Sequence, residues 1–377
     1  MARSHKIFSP KSFWLRFSIP AVLGTGAIGA AFVYPGIASG STPTLAAATP
    51  SAVLAMALAP SAKVYSGSVN ETGNLGLPTS LLSSLGSQGS LGVSGLLAQA
   101  LGGSVSANFW TDHAGNARVQ VPTSDGEIDL YASPSALWEW NSASNTATSL
   151  SLGTSATTST GSTSATSGLT PAQIADAIIS KLPAGATMSL AVGQYVAGQP
   201  AYTLVLNAND PKSLIGNVSV AVDANSGNVL GVWVYPVGSS SAAFSSLYSS
   251  VSFVAPSSSV FAFSPPSGAT VKTLSLPSFT LPSFTSSTMT SNAGGAYSHS
   301  SFGSGFSTVE VIKSPTGSFS FTSNPTFASI LASGTSVTTA MGSGTVISMS
   351  LGTVFIGNDG VLAFGAVPSS VLIGDLG

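Results

Sequence analysis

Val218, Val220 and Val222 alternate with polar residues, the turn Asp-Ala-Asn-Ser-Gly-Asn follows at 223–228, and an apolar run returns over Val229 to Tyr235. Period-two alternation on both sides of an Asn/Gly-rich turn predicts a β-hairpin. The returning strand is apolar on both faces, with Leu230, Val232 and Val234 on one and Val229, Trp233 and Tyr235 on the other. A half-exposed antiparallel strand is polar on one face. Something must therefore cover the second face.

The same periodicity predicts strands at 63–71, 104–112, 116–122, 126–132, 136–141 and 146–152, separated by turn signals, as in an antiparallel meander. Strands resume at 186–197, 200–208, the opening hairpin, 247–255 and 259–265. Two segments read as helices. Ser51 can cap a short helix over 51–59 that Pro60 stops. Thr170 as N-cap, Pro171 at the first helical position and Gln173 completing a capping box predict a helix over 171–182, with Ile174, Ala177, Ile178 and Leu182 along one stripe. The Gly/Ser/Leu-rich stretch 73–103 reads as a loop with a weak helix near Leu96 to Leu101, and 153–168 as a flexible insert.

Residues 266–305 are rich in Pro, Ser, Thr and Gly and contain the direct repeat LPSFTLPSFT, the pattern of a disordered linker. After it comes a strand in STVEVIK, a helix near Asn324 to Ala332 and a closing hairpin at 353–367 turned by Asn358-Asp359-Gly360. The expected division is 1–50 as export segment and linker, 51–271 as the main unit, 272–305 as linker, and 306–377 as a small α+β unit. The fold class is mainly β with few helices.

Composition narrows the chemistry. Only 6% of the 377 residues are charged, the net charge is −2 and cysteine is absent. No basic patch offers a surface to nucleic acid. Twelve Asp and Glu leave few paired carboxylates to lose on acidification, so the chain is expected to tolerate an acidic exterior. A far-UV CD melt that collapses between neutral pH and pH 3 would contradict this. Arg3, Lys6, Lys11 and Arg16 precede the uncharged run Phe17 to Ala38, the pattern of an export signal. That run is long enough to span a bilayer, and Ala46-Ala47-Ala48 offers a cleavage pattern. Anchored or cleaved, the remainder lies outside the cytoplasm.

Catalytic constellations are not visible. The three histidines are His5, His113 and His299; His113 follows Asp112 at a turn, where sequence neighbours point apart. Asp125, Glu127 and Asp129 alternate along one strand and read as a solvated face. Asp223-Ala-Asn-Ser-Gly lacks the later acidic ligand of a calcium loop. No cofactor or metal is expected, and the reading is non-enzymatic.

Three stretches carry a family resemblance: 63–78 with Ser66-Gly67 and Leu75-Gly76-Leu77-Pro78, the hairpin Asp223 to Leu230, and 251–271 with Phe261, Phe263, Pro265, Pro266, Gly268 and Val271. In this order they resemble the LolA/LppX-like superfamily of periplasmic lipoprotein and lipid carriers, including the RseB-type sensors, in its actinobacterial, signal-anchored members. Asp359 to Pro368 is similar to the tail of those members. The resemblance implies a curved antiparallel half-barrel plugged by helices, with acyl chains between sheet and helices. Alternation then selects a candidate lining of Trp138, Trp140, Leu204, Leu206, Val220, Val232, Val234 and Phe253, with Ser219 facing outward. The ordinary alternative is a filled core in which the tryptophans and valines pack on helix 171–182. Three functions stay open: binding or carriage of a lipid or lipoprotein acyl chain, a regulatory sensor docking on a membrane protein partner, and a surface structural module.

Overall fold

The computed structural model describes residues 42–62, 64–76, 103–112, 114–151, 185–274, 288–291, 295–315 and 331–377. Residues 1–41 of the expected export segment and linker at 1–50, the helix 171–182, the insert 153–168 and most of the loop 73–103 lie outside the described residues. Of the helix expected near 324–332, only residues 331 and 332 are described, and both are helical.

Over the described residues the fold is mainly β, built on a curved, open twelve-stranded sheet and a seven-stranded one. A first meander supplies β1 (Ser66–Gly73), β2 (Ser104–Thr111), β3 (Ala117–Thr123), β4 (Gly126–Ala132), β5 (Ala136–Asn141) and β6 (Thr146–Ser151). A second supplies β7 (Thr187–Val196), β8 (Gln199–Asn207), β9 (Ile215–Asp223), β10 (Val229–Pro236) and β11 (Phe244–Ser252). The two join edge to edge where β1 pairs antiparallel with β11. The last strand of the second meander thus meets the first strand of the first. Strands β7 and β11 touch although three strands separate them in the sheet order, so the sheet curls.

Gly67 sits at that join. A Cβ on it would stand 2.3 Å from the Ser250 carbonyl oxygen, so a side chain there would force the two strands apart. Next to it a bulge shifts the β1–β11 register between Ser68 and Val69.

Helix α1 (Pro50–Leu58) lies on β7, β8 and β9. Its N-cap is Thr49 rather than Ser51: Thr49 Oγ1 accepts the Ala52 N–H at 3.2 Å, and Pro50 takes the first turn, where no donor is needed. Val53, Leu54, Ala57 and Leu58 form its buried stripe against Tyr202, Leu204 and Val222. Each fully buried Val or Leu contributes roughly 1.5–3 kcal/mol. The β9–β10 turn docks on the end of this helix. Asp223 accepts from the Asn225 and Ser226 N–H groups, and the Ser226 carbonyl accepts the Ser61 N–H at 2.7 Å. Gly227, at φ 75°, lies where a Cβ would meet the Met56 carbonyl oxygen at 2.4 Å.

Two expectations are corrected. Residues 259–265 are not a strand. Pro256, Pro265 and Pro266 donate no ladder hydrogen bond, and the chain forms a 3₁₀ turn at Ser258–Phe261 followed by non-repetitive structure. The segment 253–269 is a strap. It leaves β11 in the middle of the sheet, crosses β3 through its 3₁₀ turn, and delivers β12 (Thr270–Leu274) to the far edge, parallel to β6. The span read as linker also holds strands. Besides β12 it contains β13 (Thr288–Ser291) and β14 (Gly295–Phe302), which pair with each other. Strand pairing uses backbone groups, so a hydroxyl-rich segment can be recruited at a sheet edge without apolar side chains.

The smaller sheet continues with β15 (Val309–Lys313), β16 (Thr335–Thr339), β17 (Gly342–Met349), β18 (Gly352–Gly357) and β19 (Val361–Gly365), ordered β13-β14-β15-β19-β18-β17-β16. The closing hairpin is β18–β19. Helix α2 (Ser369–Asp375) brings Leu372, with Leu376 just beyond it, onto Val309, Val311, Phe355 and Ala363. The two sheets are stitched by backbone bonds from Leu214 N–H to the Ala366 carbonyl at 2.7 Å and from Ser350 N–H to the Leu75 carbonyl at 2.8 Å.

Candidate functional site

Strand register assigns every side chain of the large sheet to a face. Leu204 pairs with Val220, and Val220 with Val232. Leu206 pairs with Val218, and Val218 with Val234. These residues therefore form an apolar ladder across β8, β9 and β10 on the face that carries α1. The apolar contacts of the helix reach Val220 and Val229; Leu206, Val232 and Val234 pack instead with the larger core cluster and are half-buried. Phe253 follows the end of β11, half-buried at the root of the strap.

Trp138 and Trp140 do not join this ladder. They pair with Tyr131 and Asp129, whereas the ladder face of β4 carries Ile128 and Leu130. The two tryptophans thus lie on the opposite face, under the strap. Phe263 stacks on Tyr131 at 4.7 Å between centroids and meets Trp138 at 5.5 Å and Trp140 at 6.3 Å. Alternation within a strand could not relate the parity of β5 to that of β8, because an undescribed insert separates them. Ser219 is likewise not outward: it lies opposite Val205 and Trp233 and is 4% exposed.

The second face of the opening strand is covered. Trp233 and Tyr235 are buried in the large core cluster, with Ala201, Val205 and Ala221. A bulge between Val229 and Gly231 turns Val229 toward the helix cluster and buries Leu230.

The polar side chains of β3 and β4 on the strap face are paired with one another. Arg118 donates through Nε and Nη2 to the two carboxylate oxygens of Asp129, each at 3.0 Å. Its guanidinium carbon lies 5.1 Å from the Trp110 ring centre and 5.0 Å from that of Tyr131. Gln120 donates to Glu127 at 2.7 Å. The alternating carboxylates are thus not a uniformly solvated face: Asp129 is 1% exposed, Glu127 is half-buried, and Asp125, in the β3–β4 turn, is exposed. His299, on β14, bonds Glu310 at 2.7 Å, and His113 lies outside the described residues. Among the described residues no three His, Cys, Asp or Glu side chains cluster to hold a metal, and no helix is long and apolar enough to cross a membrane.

Glu71 lies on the ladder face, a residue the sequence reading did not single out. It pairs with Ser246 on β11 and Val105 on β2, and Ser246 pairs with Val232. It is 3% exposed. Ser246 Oγ donates to its Oε1 at 3.0 Å, while Oε2 is buried without a partner. Burial pushes its pKa up to about 7, with the Ser246 hydrogen bond opposing. A polar cleft of about 330 Å³ lies elsewhere, between the sheets, lined by Asn209, Asp210, Lys212, Ser304, Ser307 and Asp375.

No family model and no curated protein matches the chain. Among solved structures it is similar to a chain of the Pseudomonas aeruginosa MucA/MucB complex, at 13% identity and a TM-score of 0.42, over 86% of this chain and 94% of that one. A crystal structure of MucB matches at 13% identity and a TM-score of 0.39, over 85% of this chain and 94% of that one. A LolA superfamily protein from Nitrosomonas europaea matches at 13% and 0.22, over 58% of this chain and 99% of its own. The chain is thus similar to MucB and to a LolA superfamily structure.

Proposed function

We propose that this chain is a non-enzymatic binding protein for lipids or lipoprotein acyl chains, working outside the cytoplasm. The observation that carries the reading is the ladder of Leu204, Val220 and Val232 beside Leu206, Val218 and Val234, held in register on three neighbouring strands. Helix α1 reaches only part of it. An acyl chain laid on this ladder would bury its methylenes at roughly 0.8 kcal/mol each, which an aliphatic surface supplies without any directional group. Trp138 and Trp140, on the opposite face, are not part of the proposed site. The basic and apolar stretch before residue 50 fits the same reading, as the element that exports the chain or holds it at a membrane.

The test is binding of cis-parinaric acid methyl ester, followed by its fluorescence, to protein purified without detergent. Val232→Thr replaces one methyl of the ladder with a hydroxyl and should weaken binding about fivefold. Ser189→Thr, on an exposed position opposite Val205, should not. Equal loss from both would mean that the ladder is not the site. If the wild type binds no lipid probe, the reading passes to a regulatory sensor, and a membrane pull-down should then recover one defined protein.

A further inference from the structure

Glu71 carries a polar atom that its surroundings leave unsatisfied. Resting on the lipid reading, we propose that Glu71 is the polar anchor of the site: its Oε2 hydrogen-bonds the ester oxygen at the head of an acyl ligand whose chain runs across the strands over Val232 toward Val220, where helix α1 begins to cover the row. Register places Leu204, Val220, Val232, Ser246 and Glu71 in one row on one face. Three inter-strand steps of roughly 4.8 Å give about 14 Å from Val220 to Glu71, the scale of an acyl chain. Ser246 fixes Oε1 and so orients the carboxyl group, leaving Oε2 as the atom without a partner. A buried polar atom left unpaired destabilises the fold, and a ligand oxygen would offset that penalty.

The protonation of Glu71 decides whether Oε2 can donate. With its pKa at about 7, the buried carboxyl keeps its proton in mildly acidic solution and can donate it to a neutral acceptor. Once ionised it only accepts, and it repels an ester oxygen or a carboxylate. An ester is the acyl head group whose own charge does not change across this range, so its binding follows Glu71 alone. Among the described residues, Tyr248 is the titratable neighbour on the same face of β11, and burial raises its pKa as well. The facing positions Val105 and Ala107 on β2 and Val232 and Val234 on β10 do not titrate. Glu139 lies on the same face four strands away on β5. The side chains that the smaller sheet packs against this core, Leu351, Phe306 and Ala366, are apolar.

The experiment compares cis-parinaric acid with its methyl ester on the full chain at pH 6 and pH 8. Wild type should bind the methyl ester roughly three- to tenfold more weakly at pH 8 than at pH 6, the scale of one hydrogen bond. Glu71→Gln keeps a donor that does not titrate, so its ester affinity should be the same at both pH values. Glu71→Leu, checked for folding by circular dichroism, should bind the ester at both pH values no better than wild type does at pH 8. If wild type binds the ester equally at both pH values, or Glu71→Gln shows the wild-type pH dependence, the anchor is overturned while the lipid reading stands. If neither probe binds wild type at either pH, the lipid reading falls and the anchor with it.

Discussion

Asp129 and Glu71 are carboxylic acids shut away from water on opposite faces of one sheet, 1% and 3% exposed. Asp129 meets both arms of a guanidinium that is itself clamped between Trp110 and Tyr131. Glu71 receives one serine hydroxyl and keeps an oxygen without a partner. A buried charge persists when it is paired, and a buried carboxyl without a counter-charge stays neutral instead. The strap face, with its paired charges and stacked rings, is therefore built as a closed structural clasp. The ladder face carries instead an aliphatic row ending in an unsatisfied acid, the feature on which the proposed lipid site rests. Each half of that contrast can be broken separately.

The largest effect should come from Arg118→Ala. It leaves Asp129 buried and unpaired, and loss of one member of a buried pair destabilises by about 3–5 kcal/mol. Urea denaturation checks it; a loss below about 1 kcal/mol would reduce the clasp to an ordinary surface pair. Next comes the pH dependence set by Glu71. Its folded pKa of about 7 lies above the ordinary 4.5. The folded chain thus keeps a proton that the unfolded chain releases as pH rises through that window. Stability should fall from pH 4.5 to pH 7 and level off above, by up to about 3 kcal/mol. Glu71→Gln should remove this slope and melt higher than wild type at pH 8; unchanged slopes would show that Glu71 does not titrate there. Acid tolerance is the companion expectation, since this group holds stability best at low pH. The smallest effect should come from Phe263→Ala. It removes the ring stacked on Tyr131 and should destabilise by about 1–2 kcal/mol, with faster proteolysis of the strap at 253–269. An unchanged cleavage rate would mean that the strap is held by β12 instead.

Local pattern made most strands legible. The meanders, the central hairpin and the turn chemistry of Asp223 follow from alternation and turn residues, and these are local properties. What alternation could not supply was parity between strands far apart in sequence. Trp138 and Trp140 look like Leu204 and Val232 on an alternating string, yet register turns them to the other face. The strap failed for a related reason. Phe261 and Phe263 alternate like a strand, but the flanking prolines bar a ladder, and Phe263 instead stacks on another strand's rings. Strands β12 to β14 gave no signal because their pairing is a backbone matter in a hydroxyl-rich segment. Glu71 did carry a signal: in the alternation of 63–71 it shares the parity of Val69, an acid at a position the pattern reserves for apolar side chains.

The central claim is that the ladder face holds an acyl chain. Native mass spectrometry of the wild-type chain, purified without detergent, tests it most directly. The account predicts adducts of discrete lipid mass on the folded protein, diminished in Val232→Thr and retained in Ser189→Thr. A bare polypeptide mass in every sample, unchanged after incubation with vesicles of ester phospholipid, would contradict it.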